Sequence, residues 1–265
     1  MPRERGKRLS YFYRVKQPIP LSTIKAANET NSFPTLRVWV VLKQLSRNTI
    51  LFNLNYANLS KITGISHTSL RAHIKRMVEM GLAKHQHGHL LLTGINKLKK
   101  HPGETCIQIP VHPGKAETIL EFQKALIHRN IKNQEKQIKI KRGLVNHCNR
   151  PHGKVSKRDI RLLNKSGGVK KLANSIQSVT TLANKTIGKM FVKSNGQGRS
   201  QNTGQRIQKS LREAGLIKTK ARFELFKAIA TPFEAAYLNS NFETGHIFNY
   251  ANGSAYRRLS NVISV

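Results

Sequence analysis

The chain is poor in acidic residues. Only 12 of its 265 residues are Asp or Glu, and Asp159 is the sole aspartate. Two-metal nucleases and polymerases need clustered carboxylates to hold Mg²⁺, and the scattered glutamates offer no such cluster. A phosphate-binding loop of the GxxxxGK[ST] pattern is missing as well. These absences predict that the chain is not an enzyme and uses no cofactor.

Cysteine is equally scarce, and long apolar runs are absent. Cys106 and Cys148 stand far apart, which gives neither a disulfide framework nor the paired spacing of a zinc site. No apolar run approaches the roughly 18 residues of a membrane span. The basic N-terminus lacks the apolar core of a secretory signal. We therefore expect a cytoplasmic protein with no membrane partner and no evident small-molecule ligand, and the oligomeric state stays open.

Positive charge dominates what is present. The chain has 47 Lys and Arg, and its formal net charge is +35. Ion pairs with the few acidic residues could neutralise at most about a quarter of the basic ones, so the others face water or a polyanion. A surface of this kind concentrates phosphate backbones and steers association. The charge balance thus predicts a nucleic-acid partner.

The segment from residue 35 to 95 predicts a definite order of elements. A buried helix (35–47), a short strand (50–55) and a second helix lead to a Gly-Ile-Ser turn at 64–66. A third helix then carries an apolar stripe at helical spacing, and Gly81 ends it. Two short strands around His87-Gly88 form a hairpin. The stripe of the third helix consists of Leu70, Ile74, Met77 and Val78.

This order resembles that of winged helix-turn-helix DNA-binding domains. In that family the helix after the turn reads base edges in the major groove, and the hairpin, or wing, adds contacts beside it. A helix about 10–12 Å across fits that groove. The resemblance implies that the polar face opposite the apolar stripe touches DNA. The matching positions are Thr68, Ser69, Arg71, Lys75 and Arg76.

A related pattern returns at 203–218, "TGQRIQKSLREAGLIK". Gly215 corresponds to Gly81 and Leu211 to Met77, whereas Ile74 corresponds to Gln208, and the turn before this helix is longer. We predict a second reading helix here. Asn, Gln and Arg can each make two hydrogen bonds to one base edge. The predicted second face consists of Arg199, Asn202, Gln205, Arg206 and Lys209.

These patterns predict a mainly α fold with small β wings, in which two winged helix-turn-helix units are joined by a helical linker region. Ser156 is expected to cap a helix, and Asn252-Gly253 to turn a hairpin that pairs with "KARFELF". The predicted domains are a basic N-terminal arm (1–34), a first winged-helix domain (35–99), a strand, long helix and basic linker (100–155), and a second winged-helix domain with the C-terminal hairpin (156–265).

Tandem winged-helix proteins of phages, plasmids and other mobile elements are similar in architecture, and they include replication initiators and transcription regulators. We therefore expect a sequence-specific protein that binds double-stranded DNA in the host cytoplasm. One alternative is a protein that coats nucleic acid without sequence preference. Another is a strand nickase that uses a tyrosine and the hairpin histidines His85, His87 and His89. A preference for RNA also stays open.

Overall fold

Helices predominate in this computed structural model, and the strands form small antiparallel sheets, as the sequence predicts. Among the described residues, no helix is both long enough and apolar enough to cross a bilayer. The structure describes residues 16–46, 50–51, 55–87, 89–111, 117–149, 156–174, 182–191, 197–227, 248–251 and 254–264.

The chain divides into two compact units whose boundaries differ from the predicted ones. Residues 1–127 and 184–216 form the first unit, and residues 128–183 and 217–265 form the second. The second basic helix therefore belongs to the same unit as the first, and not to a separate domain from residue 156 onwards. The repeated spacing of apolar residues predicts a second helix, but the sequence alone does not show which hydrophobic core that helix packs against.

The first unit begins with a strand and a helix where we predicted an arm. Strand β1 (Lys16–Pro20) pairs antiparallel with β5 (Cys106–Pro110), and helix α1 (Leu21–Glu29) follows directly. The prediction of an arm is wrong for these residues because three sparse apolar side chains are fully buried. Residues 1–15 of the predicted arm lie outside the described part. The buried side chains are Ile19, Ile24 and Ala27.

A distant carboxylate caps the start of α1. Glu104 accepts hydrogen bonds from the backbone N–H of Ser22 at 2.6 Å and of Lys100 at 2.7 Å. Burial alone would raise the pKa of Glu104, but these hydrogen bonds and the neighbouring His101 bring it below its ordinary value. A carboxylate at a helix N-terminus satisfies otherwise unpaired N–H groups. Glu104 thereby holds the start of α1 next to β5.

The predicted order of elements is present between residues 33 and 92. It consists of α2 (Phe33–Leu45), β2 (Ile50–Leu51), α3 (Tyr56–Thr63), α4 (His67–Glu79), β3 (Ala83–Gln86) and β4 (His89–Leu92). The strands form an antiparallel sheet in the order β2-β4-β3. Residues 52–54 of the predicted strand lie outside the described part. A short helix, α5 (Ile95–Leu98), precedes β5.

Large apolar side chains from several elements form the core of the first unit. Burying one such side chain contributes about 1.5–3 kcal/mol, so together these side chains hold α4 firmly against the rest of the unit. The fully buried members include Leu36 and Trp39 of α2, Leu70 and Met77 of α4, and Leu90 of β4.

One long helix, α6 (Glu117–Cys148), leads out of the first unit. Phe122, on its buried face, contacts Phe33 with ring centroids 5.7 Å apart. The linker predicted from residue 144 is wrong at its start, because the helix continues to Cys148 and Leu144 is buried. The Asn and His residues of that stretch are tolerated inside the helix, since only Gly and Pro weaken a helix interior strongly.

The second unit combines two short helices with a three-stranded sheet. Helix α7 (Lys157–Ser166) begins as predicted, with the Ser156 side chain accepting from Asp159 N–H, and α8 (Val169–Asn174) follows. The predicted hairpin and its pairing are confirmed, although Asn252-Gly253 itself lies outside the described residues. The sheet has the order β6-β8-β7, with β6 at Lys218–Lys227, β7 at Phe248–Ala251 and β8 at Ser254–Ser264.

Candidate nucleic-acid interface

Helix α4 is delimited by specific backbone and side-chain contacts at both ends. Gly64 takes φ +66° and closes α3, and the Ser66 side chain then caps α4 by accepting from Ser69 N–H at 3.3 Å. At the other end Gly81 adopts φ +69°, which is costly for residues with a Cβ. Leu82 N–H then bonds Met77 C=O at 2.8 Å. This Gly-Leu pair is a Schellman cap.

The two faces of α4 differ as the sequence predicts. Leu70, Ile74 and Met77 are buried, and α4 packs through this face on the core of the first unit. Opposite them, the side chains form a continuous exposed polar surface. All five predicted reading residues lie there and are exposed: Thr68, Ser69, Arg71, Lys75 and Arg76.

Two part-buried polar contacts join α2 to the helices beside it. Toward α4, His73 Nδ1 shares a hydrogen bond with Thr35 Oγ1 at 3.0 Å, and toward α3, Arg37 Nη2 donates to Thr63 C=O at 2.8 Å. Burial lowers the pKa of His73, and the positive charge of Arg37 lowers it further. His73 is therefore held neutral on the inner face of the helix that presents the exposed cations.

We predict that the first unit loses stability in acid through His73. Its folded-state pKa lies below the ordinary 6.5, so the unfolded chain binds more protons and stability falls as the pH drops through and below about 6.5. Urea unfolding between pH 5 and pH 7.5 should therefore show a weaker pH dependence in His73→Gln, which keeps a polar partner for Thr35. His85→Gln, at an exposed position, is the control. Equal slopes in His73→Gln and in the wild type would contradict the assignment.

Aromatic contacts orient one cation of this surface. The Arg71 guanidinium lies over the Tyr56 ring, 5.3 Å from its centroid. Tyr56 in turn meets His67 edge-on at 5.2 Å. A guanidinium over an aromatic face gains about 0.5–1 kcal/mol at exposed sites. Arg71 is thus held in place at the N-terminal half of α4.

The β3–β4 hairpin follows directly and exposes polar side chains. His87 turns the chain with φ +50°, a left-handed conformation, and Gln86 pairs with His89 across the turn. Lys84, His85 and Gln86 are exposed. Within the described part of the chain, no three His, Cys, Asp or Glu side chains come close enough to hold a metal ion.

The second helix pair shows an unusually close backbone approach. Helix α9 (Asn184–Met190) and helix α10 (Gln201–Glu213) meet at two glycines. A Cβ on Gly204 would overlap the Asn184 carbonyl oxygen and lie 2.7 Å from Gly188 N, and a Cβ on Gly188 would overlap the Ser200 carbonyl oxygen. Only glycine permits this packing at either position.

Helix α10 repeats the organisation of α4. Ser200 caps its start by accepting from Thr203 N–H at 3.4 Å. Gly215 has φ +67°, and Leu216 N–H bonds Leu211 C=O at 2.9 Å, so the second Gly-Leu is also a Schellman cap. Ile207, Gln208 and Leu211 form the buried face. The exposed residues among those predicted to read DNA are Asn202, Gln205, Arg206 and Lys209.

Two of the predicted reading residues form hydrogen bonds to another segment of the protein. Arg76 donates from Nε to Ser32 Oγ at 3.0 Å and from Nη2 to Thr30 C=O at 3.2 Å. Arg199, ahead of α10, donates from Nη2 to Asn31 Oδ1 at 2.8 Å. Both arginines thus meet the same short loop between α1 and α2, and in this structure they bind protein.

Carboxylates are nearly excluded from the two faces. On α4 the sole acidic residue is Glu79 and on α10 it is Glu213, each at the last position of its helix. Among the described residues, the one ion pair on these helices joins Lys209 and Glu213 at 3.8 Å, and both side chains are exposed. Such exposed pairs contribute little and yield readily to a competing anion.

The sequence did not reveal that residues 28–32 form hydrogen bonds both with α4 and with the α9–α10 pair. "NETNS" reads as an ordinary polar turn, and no pattern in it points to Arg76 or Arg199. A signal for the glycine contact was present, because an interior glycine costs a helix about 1 kcal/mol and usually has a packing reason. Gly188 lies among Ile187, Met190 and Phe191, and Gly204 lies at helical spacing from Ile207 and Leu211.

Comparison of the chain with family models, curated proteins and solved structures gives no match.

Proposed function

We propose that the chain is a sequence-specific double-stranded DNA-binding protein of a mobile element, acting in replication initiation or transcription regulation in the host cytoplasm. One observation carries the proposal. Within one compact unit, two capped amphipathic helices, α4 and α10, present exposed faces of cations, amides and hydroxyls with a carboxylate only at the last residue. A polar helix face of this size suits the major groove.

The surroundings of α4 support the same function. The order of α2, β2, α3, α4, β3 and β4, with its β2-β4-β3 sheet, agrees with a winged helix-turn-helix unit. In that arrangement α3 would cross the backbone, and the β3–β4 hairpin would act as the wing. Lys84, exposed on the hairpin, would then contact a phosphate.

The net charge of +35 favours the same class of partner. Each cation that neutralises a phosphate releases a counterion and adds affinity without reading sequence. Charge spread this widely also favours the alternative of a protein that coats nucleic acid regardless of sequence. The ratio of specific to random affinity separates the two functions.

Selection of bound sequences from a random duplex pool tests the proposal. We expect a defined motif and a specific affinity at least about 10³ times the affinity for random duplex. Enrichment of no motif, with similar affinity for every duplex, would favour the coating function. Incubation of the protein with supercoiled DNA and divalent metal should leave the DNA uncut, and appearance of nicked circles would favour the nickase.

We predict different consequences for Gln205 and Lys75. Gln205→Ala should reduce discrimination at one base pair by about 1–3 kcal/mol, because a paired amide contact to the base edge is lost. Lys75→Ala should weaken binding to all duplexes similarly and lower the slope of log affinity against log salt by about one. Competition binding of a selected and a scrambled duplex at several salt concentrations measures both effects.

Lys97→Ala is the control for charge alone, since Lys97 is exposed on α5 and not on either basic helix. It should leave the specificity ratio unchanged. If Gln205→Ala preserves that ratio and Lys75→Ala abolishes it, the two helices have the opposite roles. If neither variant alters binding, α4 and α10 are not at the DNA.

A further inference from the structure

Three short segments of the first unit converge on the junction between α1 and α2. This junction consists of the last two residues of α1 and the connecting residues 30–32, and we call it the 28–32 loop. Arg76 at the end of α4 bonds Thr30 and Ser32, and Arg199 ahead of α10 bonds Asn31. Asn28 completes the set by donating from Nδ2 to the Met190 C=O at the end of α9, at 2.8 Å. The loop is therefore hydrogen-bonded to α4, to the end of α9 and to the segment that precedes α10.

The 28–32 loop has a well-defined backbone. Asn31 has φ +50°, Ser32 N–H bonds Ala27 C=O at 2.6 Å and Asn31 N–H bonds Asn28 C=O at 3.0 Å. These two bonds form a Schellman cap, in which Asn is tolerated at the left-handed position. Ser32 is almost fully buried, and Thr30 Oγ1 donates to its Oγ at 3.0 Å. The groups that face the arginines are thus preorganised.

Apolar packing reinforces the same junction. Phe33, the residue after the loop, meets the Phe191 ring edge-on with centroids 6.4 Å apart. Phe191 follows α9 directly, so this contact lies beside the bond between Asn28 and Met190. Directional bonds on a packed core fix orientation as well as distance, because a packed interior does not deform continuously.

We propose that the 28–32 loop sets the separation and phase of α4 and α10, so that the target is a composite of two elements at one fixed spacing. This inference rests on the proposed function. Asn31, Ser32 and Asn28 are then positioning residues, which determine spacing without touching DNA. Arg76 and Arg199 donate the hydrogen bonds that the first two of these residues accept.

The physical argument is one of effective concentration. Two linked reading units gain about 10²–10⁴-fold in affinity when their geometry matches two elements, and they lose that gain when it does not. DNA turns once in about 10–10.5 bp, or 34–36 Å. A rigid pair of helices should therefore be unable to bind both elements at once when 5 bp are inserted between them, and equally unable when 10 bp are inserted. A flexibly joined pair should tolerate both insertions.

The test uses the full chain and the duplex selected from the random pool, with 0, 5 or 10 bp inserted between its two elements. Duplexes that carry one element each report the affinity of each half. We expect the wild type to lose about 100-fold on either insertion. The variant Asn31→Gly/Ser32→Ala removes two acceptors but keeps a residue suited to positive φ. It should lose about 10-fold or less on insertion, with unchanged affinity for the single elements.

Asn31→Asp is the matched control. It retains an acceptor for Arg199 and tolerates the left-handed conformation, so it should keep the wild-type response to insertion. A general loss of folding in Asn31→Gly/Ser32→Ala would lower the affinity for the single elements as well, which separates a positioning role from a merely structural one.

Two results would overturn the inference alone. One is a wild-type protein that binds its selected duplex equally well at all three spacings. The other is an Asn31→Gly/Ser32→Ala variant that keeps the wild-type penalty on insertion. Failure of the wild type to select any duplex would overturn the proposed function and this inference together.

Discussion

Replacing Gly204 by alanine should destabilise the first unit by about 3 kcal/mol, as expected for overpacking against groups that cannot move. The added methyl would overlap the Asn184 carbonyl oxygen and lie 2.7 Å from Gly188 N. These are backbone atoms, so no rotamer change relieves the contact. Helix propensity alone would favour alanine by about 1 kcal/mol, so the sign of the change decides between the two effects. Urea unfolding measures it.

Gly143→Ala is the matched control for this prediction. Gly143 lies inside α6, and beyond the helix's own backbone a Cβ there would meet nothing within 4 Å. The same chemical change should therefore stabilise the chain by up to about 1 kcal/mol. If Gly204→Ala also stabilises, α9 and α10 do not pack at the distance described. Because Gly204 lies inside α10, we further expect Gly204→Ala to weaken sequence discrimination.

Introducing a carboxylate at Leu70 or Leu211 should cost about 4 kcal/mol or more. Both side chains are fully buried, each on the inner face of a basic helix. Leu→Asp removes the packing of a large side chain and buries a charge with no partner. Circular dichroism should then show no cooperative unfolding transition near the wild-type melting temperature. The variants should also lose DNA binding.

Leu162→Asp controls for the chemistry of the substitution. Leu162 lies on α7 and keeps 37% of its surface exposed, so the carboxylate there stays in water. Its melting temperature should change little. Wild-type melting of both Leu70→Asp and Leu211→Asp would show that the two apolar stripes face solvent.

Local signals in the sequence were enough to predict α4. The stripe of Leu70, Ile74 and Met77, the Gly-Ile-Ser turn before it and Gly81 after it all indicate the same boundaries, and the helix runs from His67 to Glu79 as expected. The long helix and the C-terminal hairpin were predicted for similar reasons. Agreement between period, cap and stop is what makes such elements readable from sequence.

Long-range contacts were not predictable in the same way. Ile19 is buried in β1, which pairs with a strand some ninety residues later, and Ile24 is buried on the helix that follows β1. The polar composition around both residues suggested an arm. The roles of Arg76 and Arg199 depend on a loop that no periodicity connects to either helix. Exposed cations look alike in a sequence, whether they meet phosphate or a buried serine, because only the fold supplies the partner.

The discontinuous composition of the first unit affects the order in which it can fold during synthesis. Residues 128–183 are made before the stretch 184–216 that completes the unit. At about 5–20 residues per second, the ribosome needs roughly 5–20 s to advance from residue 127 to residue 216. During that time Phe33 lacks its contact with Phe191, and Asn28 lacks its carbonyl partner. A nascent chain that already contains α4 thus carries an unfinished junction until α10 emerges, and truncation after residue 127 would make that state permanent.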